Sequence, residues 1–178
     1  MNKPAKNFAF IDSQNVNLGF RALGWKLDWR RFRVYLREKY AVEKAYLFIG
    51  YIPENQQLYT SLQQAGFILV FKPVLQTKER GAKGNVDADL VLKAMTEYEN
   101  YEKAVIVTSD GDFYSLVEYL YRKGKLETVL SPSARRTPHF SRRRPRSAST
   151  SWKRCASSLN TSPRNEKAPP RDGTQGSA

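Results

Sequence analysis

The chain has 178 residues, 40% of them hydrophobic, and its 30 Lys and Arg residues against 17 Asp and Glu give a net charge of +13. This length suits one domain with its own core, and no apolar run reaches the roughly 18 residues of a transmembrane helix. A single cysteine, Cys155, and a single histidine, His139, exclude a disulfide framework and a Cys/His zinc site within one chain, and they argue against a catalytic triad.

The first half of the chain alternates between short apolar runs and amphipathic segments. Apolar runs without polar alternation predict buried strands, and apolar residues at helical spacing predict helices. The order begins with a strand (7–12), a loop or irregular helix (15–24), and a helix that Asp28 caps and whose apolar positions are 29, 32, 36 and 40. A second strand (44–52) follows, and then a helix that Pro53 opens and Gly66 closes, with Leu58, Leu62 and Ala65 as its apolar positions. A third strand (67–71) ends this half of the domain.

The second half continues the alternation after a basic, glycine-bearing loop, "QTKERGAKGN" (76–85). A helix marked by Leu90, Val91, Ala94, Met95 and Tyr98 is followed by a strand (103–109), a helix from Phe113 to near Gly124 and a strand (126–130). Strands that alternate with helices predict an α/β fold with a mostly parallel five-stranded sheet that helices cover on both faces. Ligands of such sheets bind beyond the carboxyl ends of the strands, where the strand order reverses.

Residues 131–178 differ in composition from the rest. They hold eleven Lys and Arg residues against two acids, which is +9 of the net charge and leaves +4 for residues 1–130. The segment is rich in Ser, Arg and Pro, and its few apolar residues show no period. We therefore predict a domain over 1–130 and a disordered basic C-terminal tail over 131–178, which would bind polyanions nonspecifically and with strong salt dependence.

Acidic residues stand where predicted strands end or helices begin. Asp12 ends the first strand, Asp110 and Asp112 follow the fourth, and Asp87 and Asp89 begin the helix after the basic loop. We expect all five at one edge of the sheet, where two carboxylates 4 Å apart repel by about 4 kcal/mol at an effective dielectric of about 20. Such an arrangement indicates a cation. Oxygen ligands without His or Cys favour Mg²⁺ or Mn²⁺, which support in-line phosphoryl displacement by water.

Each acid also has a purely structural explanation. Asp112 and Asp87 stand where helix N-caps are expected. Asp89 would interact favourably with a helix dipole in the first turn, Asp110 would brace a turn, and Asp12 would form an Asx-turn. The residues themselves leave both interpretations open. The coincidence of three separate segments favours a shared metal site.

Three stretches, "FIDSQNVN", "KGNVDADLVLKAM" and "VIVTSDGDFYSLVEYL", resemble the motifs of the NYN domain family in the PIN-like nuclease superfamily, over about residues 7–130. The resemblance implies a doubly wound fold and, for many members, Mg²⁺- or Mn²⁺-dependent RNA cleavage. It puts the acidic pocket at the following positions of this chain: Asp12, Asn15, Asp87, Asp110 and Asp112, with Asp89 and Ser109 in supporting places. Many relatives have a further acid about two turns into the middle helix, and in this chain Lys93 or its neighbours occupy that region. The family also usually continues into further helix after the fifth strand, where this chain enters its tail.

The predicted function is a metal-dependent ribonuclease with RNA as its substrate, in a reducing cytoplasm and away from membranes. Asp12, Asp87, Asp110 and Asp112 are the predicted metal ligands, and Asn15 is predicted to orient ligands or substrate. Lys78, Arg80 and Lys83 of the basic loop would bind the RNA backbone. A longer basic track and three base-stacking aromatics are further candidates: Arg21, Lys26, Arg30, Arg31, Arg33 and Arg37, with Trp25, Tyr51 and Phe113.

Two other functions remain open on the sequence. A non-catalytic RNA-binding or regulatory module would keep the fold and charge without a working metal centre, and Lys93 favours it. A phosphatase acting on small phosphate esters is disfavoured, because "DSQN" lacks the Asp-x-Asp pattern of aspartyl-phosphate enzymes. The RNA target, the choice between Mg²⁺ and Mn²⁺ and the formation of a homodimer are not decided by the sequence.

Overall fold

The structure, a computed structural model, describes residues 6–22, 24, 26–72 and 86–131. The side chains of Lys72, Val86 and Asp87 are outside this description. The basic loop 76–85 and nearly all of the predicted tail therefore lie outside the described residues, so their predicted roles stay predictions.

The described strands form one five-stranded parallel sheet in the order β3-β2-β1-β4-β5. The strands are β1 (Asn7–Asp12), β2 (Val42–Gly50), β3 (Phe67–Lys72), β4 (Ala104–Val107) and β5 (Leu126–Leu130). The chain builds β1, β2 and β3 outward in one direction and then returns to the other side of β1 to place β4. The strand order thus reverses between β1 and β4, which is where ligands bind in sheets of this kind.

Helices cover both faces of the sheet, which confirms the predicted doubly wound α/β fold. They are α1 (Ser13–Ala22), α2 (Trp29–Tyr40), α3 (Gln56–Gln64), α4 (Val86–Thr96) and α5 (Tyr114–Arg122). Buried residues of α1, α2 and α3 pack with Ala9 and Ile11 of β1 on one face. Those of α4 and α5 pack with Phe8 and Phe10 on the other. Because successive side chains of a strand point to opposite faces, a strand buried on both sides reads as a continuous apolar run.

The ends of several elements follow from local chemistry. Asp28 caps α2 as predicted, because its side chain accepts a hydrogen bond from the Arg31 backbone N–H at 3.1 Å. Gly66 follows α3 with φ +93°, a conformation that glycine adopts without strain, so it closes the helix as predicted. Gly124 does the same after α5 with φ +68°.

Some predicted boundaries were wrong. Residues 13–22 form a regular helix, since Val16 and Phe20 lie one turn apart and are both buried. The second strand is Val42–Gly50 rather than 44–52, and Tyr51 and Ile52 lie beyond it, exposed. Pro53 opens a 3₁₀ turn that precedes α3, and within α3 Tyr59 is buried instead of Leu58. The fourth strand is only Ala104–Val107.

Candidate functional site

The carboxyl ends of β1 and β4 lie side by side at the point where the strand order reverses. Ile11 pairs with Val107 in the parallel register, so Asp12, the last residue of β1, is level with Thr108, the first residue after β4. Asp110 stands two residues further along, at the start of a 3₁₀ turn (Gly111–Phe113). The sheet therefore delivers one acid from each of two adjacent strands to the edge where a ligand would bind.

Asp12 is buried, with 3% of its surface exposed, and its carboxylate is held by three donors. One oxygen accepts from the backbone N–H groups of Gln14 at 3.0 Å and Asn15 at 3.3 Å, and the other accepts from the Asn15 side-chain amide at 2.6 Å. The two backbone bonds are those of an N-cap residue, so Asp12 also begins α1. An ionised carboxylate can accept about four hydrogen bonds, so this carboxylate is fixed in place with room for one more partner.

Asp110 caps the turn that follows β4. Its carboxylate accepts from the Asp112 backbone N–H at 3.0 Å, and its own backbone N–H donates to the hydroxyl of the buried Thr108 at 3.1 Å. Asp112 contributes its backbone N–H to this turn, and its side chain is exposed. The N-cap residue of α5 is Phe113 rather than Asp112, and it makes no side-chain cap hydrogen bond. The capping interpretation of Asp112 was wrong. Asp110 braces the turn, and Ser109 lies beside it, half-buried.

The helix α4 brings the third acidic segment to this region. It packs against β1 and against the turn Gly111–Phe113, with Leu90 and Phe113 in one core cluster. Asp87 is in the first turn of α4, and its side chain is outside the described part of the chain. Asp89, also in that turn, is half-buried. The helix α4 thus contacts the turn that Asp110 caps, and the convergence of the acids of the three segments stays a prediction, as do the contacts of Asp87.

The described side chains do not complete a metal centre by themselves. Among them, no three Asp, Glu, His or Cys residues lie close enough together to hold a metal ion. Asp12 and Asp110 offer carboxylate oxygens at neighbouring strand ends, which suits a hard cation such as Mg²⁺ or Mn²⁺. This donor chemistry fits the ion. A complete centre would need a further ligand, and Asp87 is the sequence-predicted acid that lies outside the described side chains.

Comparison with known families decides what kind of domain carries these acids. The NYN domain family matches residues 8–150. The chain belongs to the NYN domain family. The match includes the sheet apart from Asn7 and extends twenty residues past Leu130, into the segment predicted as a tail.

Two similar proteins extend the comparison of this NYN domain. The low amplitude and bright protein LabA of Synechococcus elongatus is 26% identical over 139 residues, which are 72% of this chain and 75% of LabA. A crystal structure of a Vibrio parahaemolyticus protein of unknown function is similar with a TM-score of 0.61 at 25% identity, and the match covers 72% of this chain and 83% of that one. The family supports a PIN-like nuclease type of domain, and neither relative's name states a reaction.

Lys93 of this NYN domain belongs to a polar network that the sequence did not reveal. Its ammonium lies 2.7 Å from a carboxylate oxygen of Glu97, one helical turn further along, and 4.9 Å from the ring centre of Tyr46. Hydrogen bonds from Lys93 and from Asn100 lower the pKa of Glu97 to about 2. Burial, with a smaller contribution from Glu97, raises the pKa of Tyr46 to about 12. The spacing of Lys93 and Glu97, i and i+4, was the available signal for this pair.

The predicted RNA contacts have mixed outcomes. Arg33 is wrong as a phosphate ligand, because its guanidinium donates to the carbonyls of Gly66, Val42 and Glu43 and so joins α2 to the starts of β2 and β3. Phe113 is wrong as a stacking residue, because it is fully buried. Tyr51 is exposed as stacking requires, and Trp25 is outside the described residues.

The described helices also bear on the membrane prediction. None of them is long and apolar enough to span a bilayer.

Proposed function

We propose that this NYN domain is a metal-dependent ribonuclease that hydrolyses RNA phosphodiester bonds at the edge of the sheet between β1 and β4. The observation that carries the proposal is the pair of acids at this edge. Asp12 ends β1, Asp110 follows β4, and the strand order reverses between these two strands. Membership of a PIN-like nuclease family makes phosphodiester hydrolysis the reaction that such acids would serve.

The proposed direct ligands of Mg²⁺ or Mn²⁺ are Asp12, Asp110 and Asp87. Asp112, the fourth ligand predicted from the sequence, forms no group of three with the described acids, so its proposed part is to hold a water of the ion. The bound ion would supply an activated water and positive charge for an in-line displacement at phosphorus. Asn15 holds the carboxylate of Asp12 in one orientation through its 2.6 Å hydrogen bond. Thr108 fixes the backbone of Asp110. Asp89 and Ser109 are the proposed supporting residues. Lys78, Arg80 and Lys83 are the proposed contacts to the RNA backbone.

The proposal is tested by incubating labelled RNA and DNA with the protein and Mg²⁺, Mn²⁺ or a chelator. We expect metal-dependent RNA cleavage, loss of cleavage with the chelator, and loss in a variant that combines Asp12→Asn with Asp110→Asn. Asparagine keeps an acceptor oxygen for the cap hydrogen bonds, so this variant should stay folded.

Asp28→Asn is the matched control for this experiment. It changes another acid that caps a helix. Asp28 is next to Trp29, whose ring packs on Phe67 at the start of β3, so the control lies near the amino ends of the strands, away from the proposed site. The control should cleave RNA as the wild type does. Cleavage at the wild-type rate by the double variant would refute the assignment of the site.

A non-catalytic RNA-binding module is the second candidate, and the observation that favours it is that the described acids form no group of three that could hold a metal. The family resemblance adds that Lys93 or its neighbours occupy the region where many relatives have an acid. Such a module would bind RNA equally well with a divalent cation or with a chelator. It would leave the RNA intact under both conditions.

A further inference from the structure

Three aromatic rings pack together near the carboxyl ends of β2 and β3: Tyr51 just after β2, Phe71 in β3 and Tyr59 in α3. The ring of Tyr51 lies nearly parallel to that of Tyr59, with centroids 5.9 Å apart and an interplanar angle of 22°. Phe71 stands almost perpendicular to both, 5.5 Å from Tyr51 and 4.9 Å from Tyr59. Tyr59 is buried, whereas Tyr51 is 44% exposed and Phe71 is 42% exposed. Two aromatic side chains therefore present surface to solvent on a buried aromatic base.

Hydrogen bonds fix this cluster before any ligand arrives. The Tyr59 hydroxyl accepts from the Ile52 backbone N–H at 2.7 Å and donates to the Gly50 carbonyl at 3.0 Å. The Tyr51 hydroxyl accepts from the Gln56 side-chain amide at 3.1 Å. A ring that is already held in one orientation loses little conformational freedom on binding, so a ligand that stacks on it keeps more of the contact energy.

The cluster lies at the same edge of the sheet as Asp12 and Asp110. Phe71 pairs with Ile49 near the carboxyl end of β2, and Asp12 pairs with Phe48 in the same strand. Neighbouring strands are about 4.8 Å apart, so the end of β3 is roughly 10 Å from the end of β1 across the sheet. Phe71 alternates with Phe67 and Leu69 towards the face covered by α1, α2 and α3, whereas Asp12 alternates with Phe8 and Phe10 towards the other face. A strand of nucleic acid with one phosphate at the acids would therefore pass over the carboxyl ends of the strands to place a base on the rings.

The chemistry of the exposed groups suits a nucleobase. Base stacking on an aromatic ring tolerates any sequence, because every base has a π-face. The Tyr51 hydroxyl and the Gln56 amide stand at the rim of the rings, where the polar edge of a base would lie. A net charge of +13 favours a polyanion as the ligand of the whole chain.

We propose that Tyr51 and Phe71 form a stacking site for a base of single-stranded nucleic acid. The site adds a base-binding contact to the proposed active site, and it rests on the function proposed above. The acids would hold the scissile phosphate, and the rings would hold a base of the same strand.

The test measures binding of the full chain to a short single-stranded RNA and to an abasic oligonucleotide of the same length. A chelator is present throughout, so binding is measured without cleavage, and elevated salt weakens the contribution of the basic tail. The ratio of the two affinities is the base-dependent part of binding. Tyr51→Leu and Phe71→Leu remove a ring while keeping an apolar side chain of similar character, so the packing against Tyr59 is retained.

Each leucine variant should lose about 5-fold to 10-fold of the affinity for RNA and none for the abasic oligonucleotide, because one stacked base contributes at least about 1 kcal/mol. Tyr51→Phe, which keeps the ring and loses the hydroxyl contact with Gln56, should retain more of the RNA affinity than Tyr51→Leu does. Tyr121→Ala is the matched control, because Tyr121 is an aromatic residue of similar exposure, 48%. It lies at the end of α5 that leads to the start of β5, so it is near the amino ends of the strands and away from the rings.

Three results would overturn the proposal. The first is an RNA affinity that is unchanged in both leucine variants, and the second is a wild type that binds the abasic oligonucleotide as tightly as RNA. A wild-type dimer that becomes a monomer in Tyr51→Leu, with unchanged RNA affinity, would make this surface a contact between copies instead. Selective loss of RNA binding in the leucine variants, together with no metal-dependent cleavage by the wild type, would keep the stacking site and refute the ribonuclease.

Discussion

At the scale of single residues, Asp12 combines a structural and a proposed catalytic task. Its carboxylate caps α1 through two backbone N–H groups and is held by Asn15. The sequence suggested both a metal ligand and an Asx-turn for this residue, and the observed hydrogen bonds agree with a local backbone role without excluding the other. The two tasks can be separated by substitution, because alanine removes both and asparagine keeps the cap.

Asp12→Ala should therefore reduce the free energy of unfolding by about 1 kcal/mol, with a range of roughly 0.5–2 kcal/mol, through loss of the cap. Asp12→Asn should cost clearly less, because its side-chain oxygen still accepts from the backbone. Urea unfolding of the two variants beside the wild type measures the difference. Equal losses in both would mean that the charge of Asp12, rather than its cap hydrogen bonds, stabilises the fold.

Glu97 gives a prediction for pH. Its pKa is about 2 in the folded protein against an ordinary value of 4.5, chiefly because Lys93 and Asn100 donate to its carboxylate. A lowered folded pKa means that the ionised carboxylate stabilises the folded state above about pH 4.5, and that this contribution is lost as the pH falls towards about 2. The difference in unfolding free energy between wild type and Glu97→Gln should shrink from about pH 6 to about pH 3. A constant difference would contradict the network.

At the scale of elements, the accuracy of the sequence predictions depended on what decides each boundary. The strands β1 and β5 and the cap at Asp28 were predicted to the residue, because apolar runs and capping chemistry are local. The helix α1 was missed as a regular helix, because Asn and Gly are poor helix formers and its stability comes from burying Val16 and Phe20. Tyr51 and Ile52 were assigned to a strand, because an exposed apolar pair has the same pattern as a buried one.

The candidate site was predictable to the level of strand ends and no further. Asp12 and Asp110 follow apolar runs, and the rule for parallel sheets places them at one edge. The sequence could not show that Phe113 is buried under α4 or that Arg33 is used by backbone carbonyls. Both facts depend on contacts between elements that are far apart in the chain.

Substitution of Gly66 tests how much the left-handed residue after α3 contributes to stability. Its φ of +93° follows α3, and an added Cβ would meet only ordinary contacts at 3.5 Å from the Arg33 side chain. Gly66→Ala should lower the free energy of unfolding by about 1–2 kcal/mol, because the strain is in the backbone. Gly66→Asn should cost less, since asparagine tolerates this region better. Thermal unfolding of both variants measures the order, and an alanine variant as stable as the wild type would contradict it.

At the scale of the whole molecule, the charge is divided unevenly between the described domain and the residues after it. Residues 131–178 carry +9 of the net +13, and the NYN family match runs to residue 150, so it includes part of this basic segment. Nonspecific attraction to RNA is therefore expected to come mainly from this segment. Base-dependent binding is expected to come from the sheet edge.

Replacing Arg142, Arg143, Arg144 and Arg146 by Gln should weaken RNA binding and reduce its salt dependence. Each phosphate contact contributes about 0.7 to the slope of log affinity against log salt for single strands, so the slope should fall by up to about 3. Affinity titrations at several salt concentrations give this slope. An unchanged slope would assign the phosphate contacts to the domain instead of to these arginines.

The central claim is that acids from separate segments, including Asp12 and Asp110, bind one divalent cation where the strand order reverses. Calorimetric titration of the full chain with Mn²⁺, in the wild type, Asp110→Asn and the control Asp28→Asn, tests it most directly. We predict one saturable site in the wild type and in Asp28→Asn, and its loss or strong weakening in Asp110→Asn. Mn²⁺ binding that is equal in all three proteins, or absent from the folded wild type, would contradict the claim.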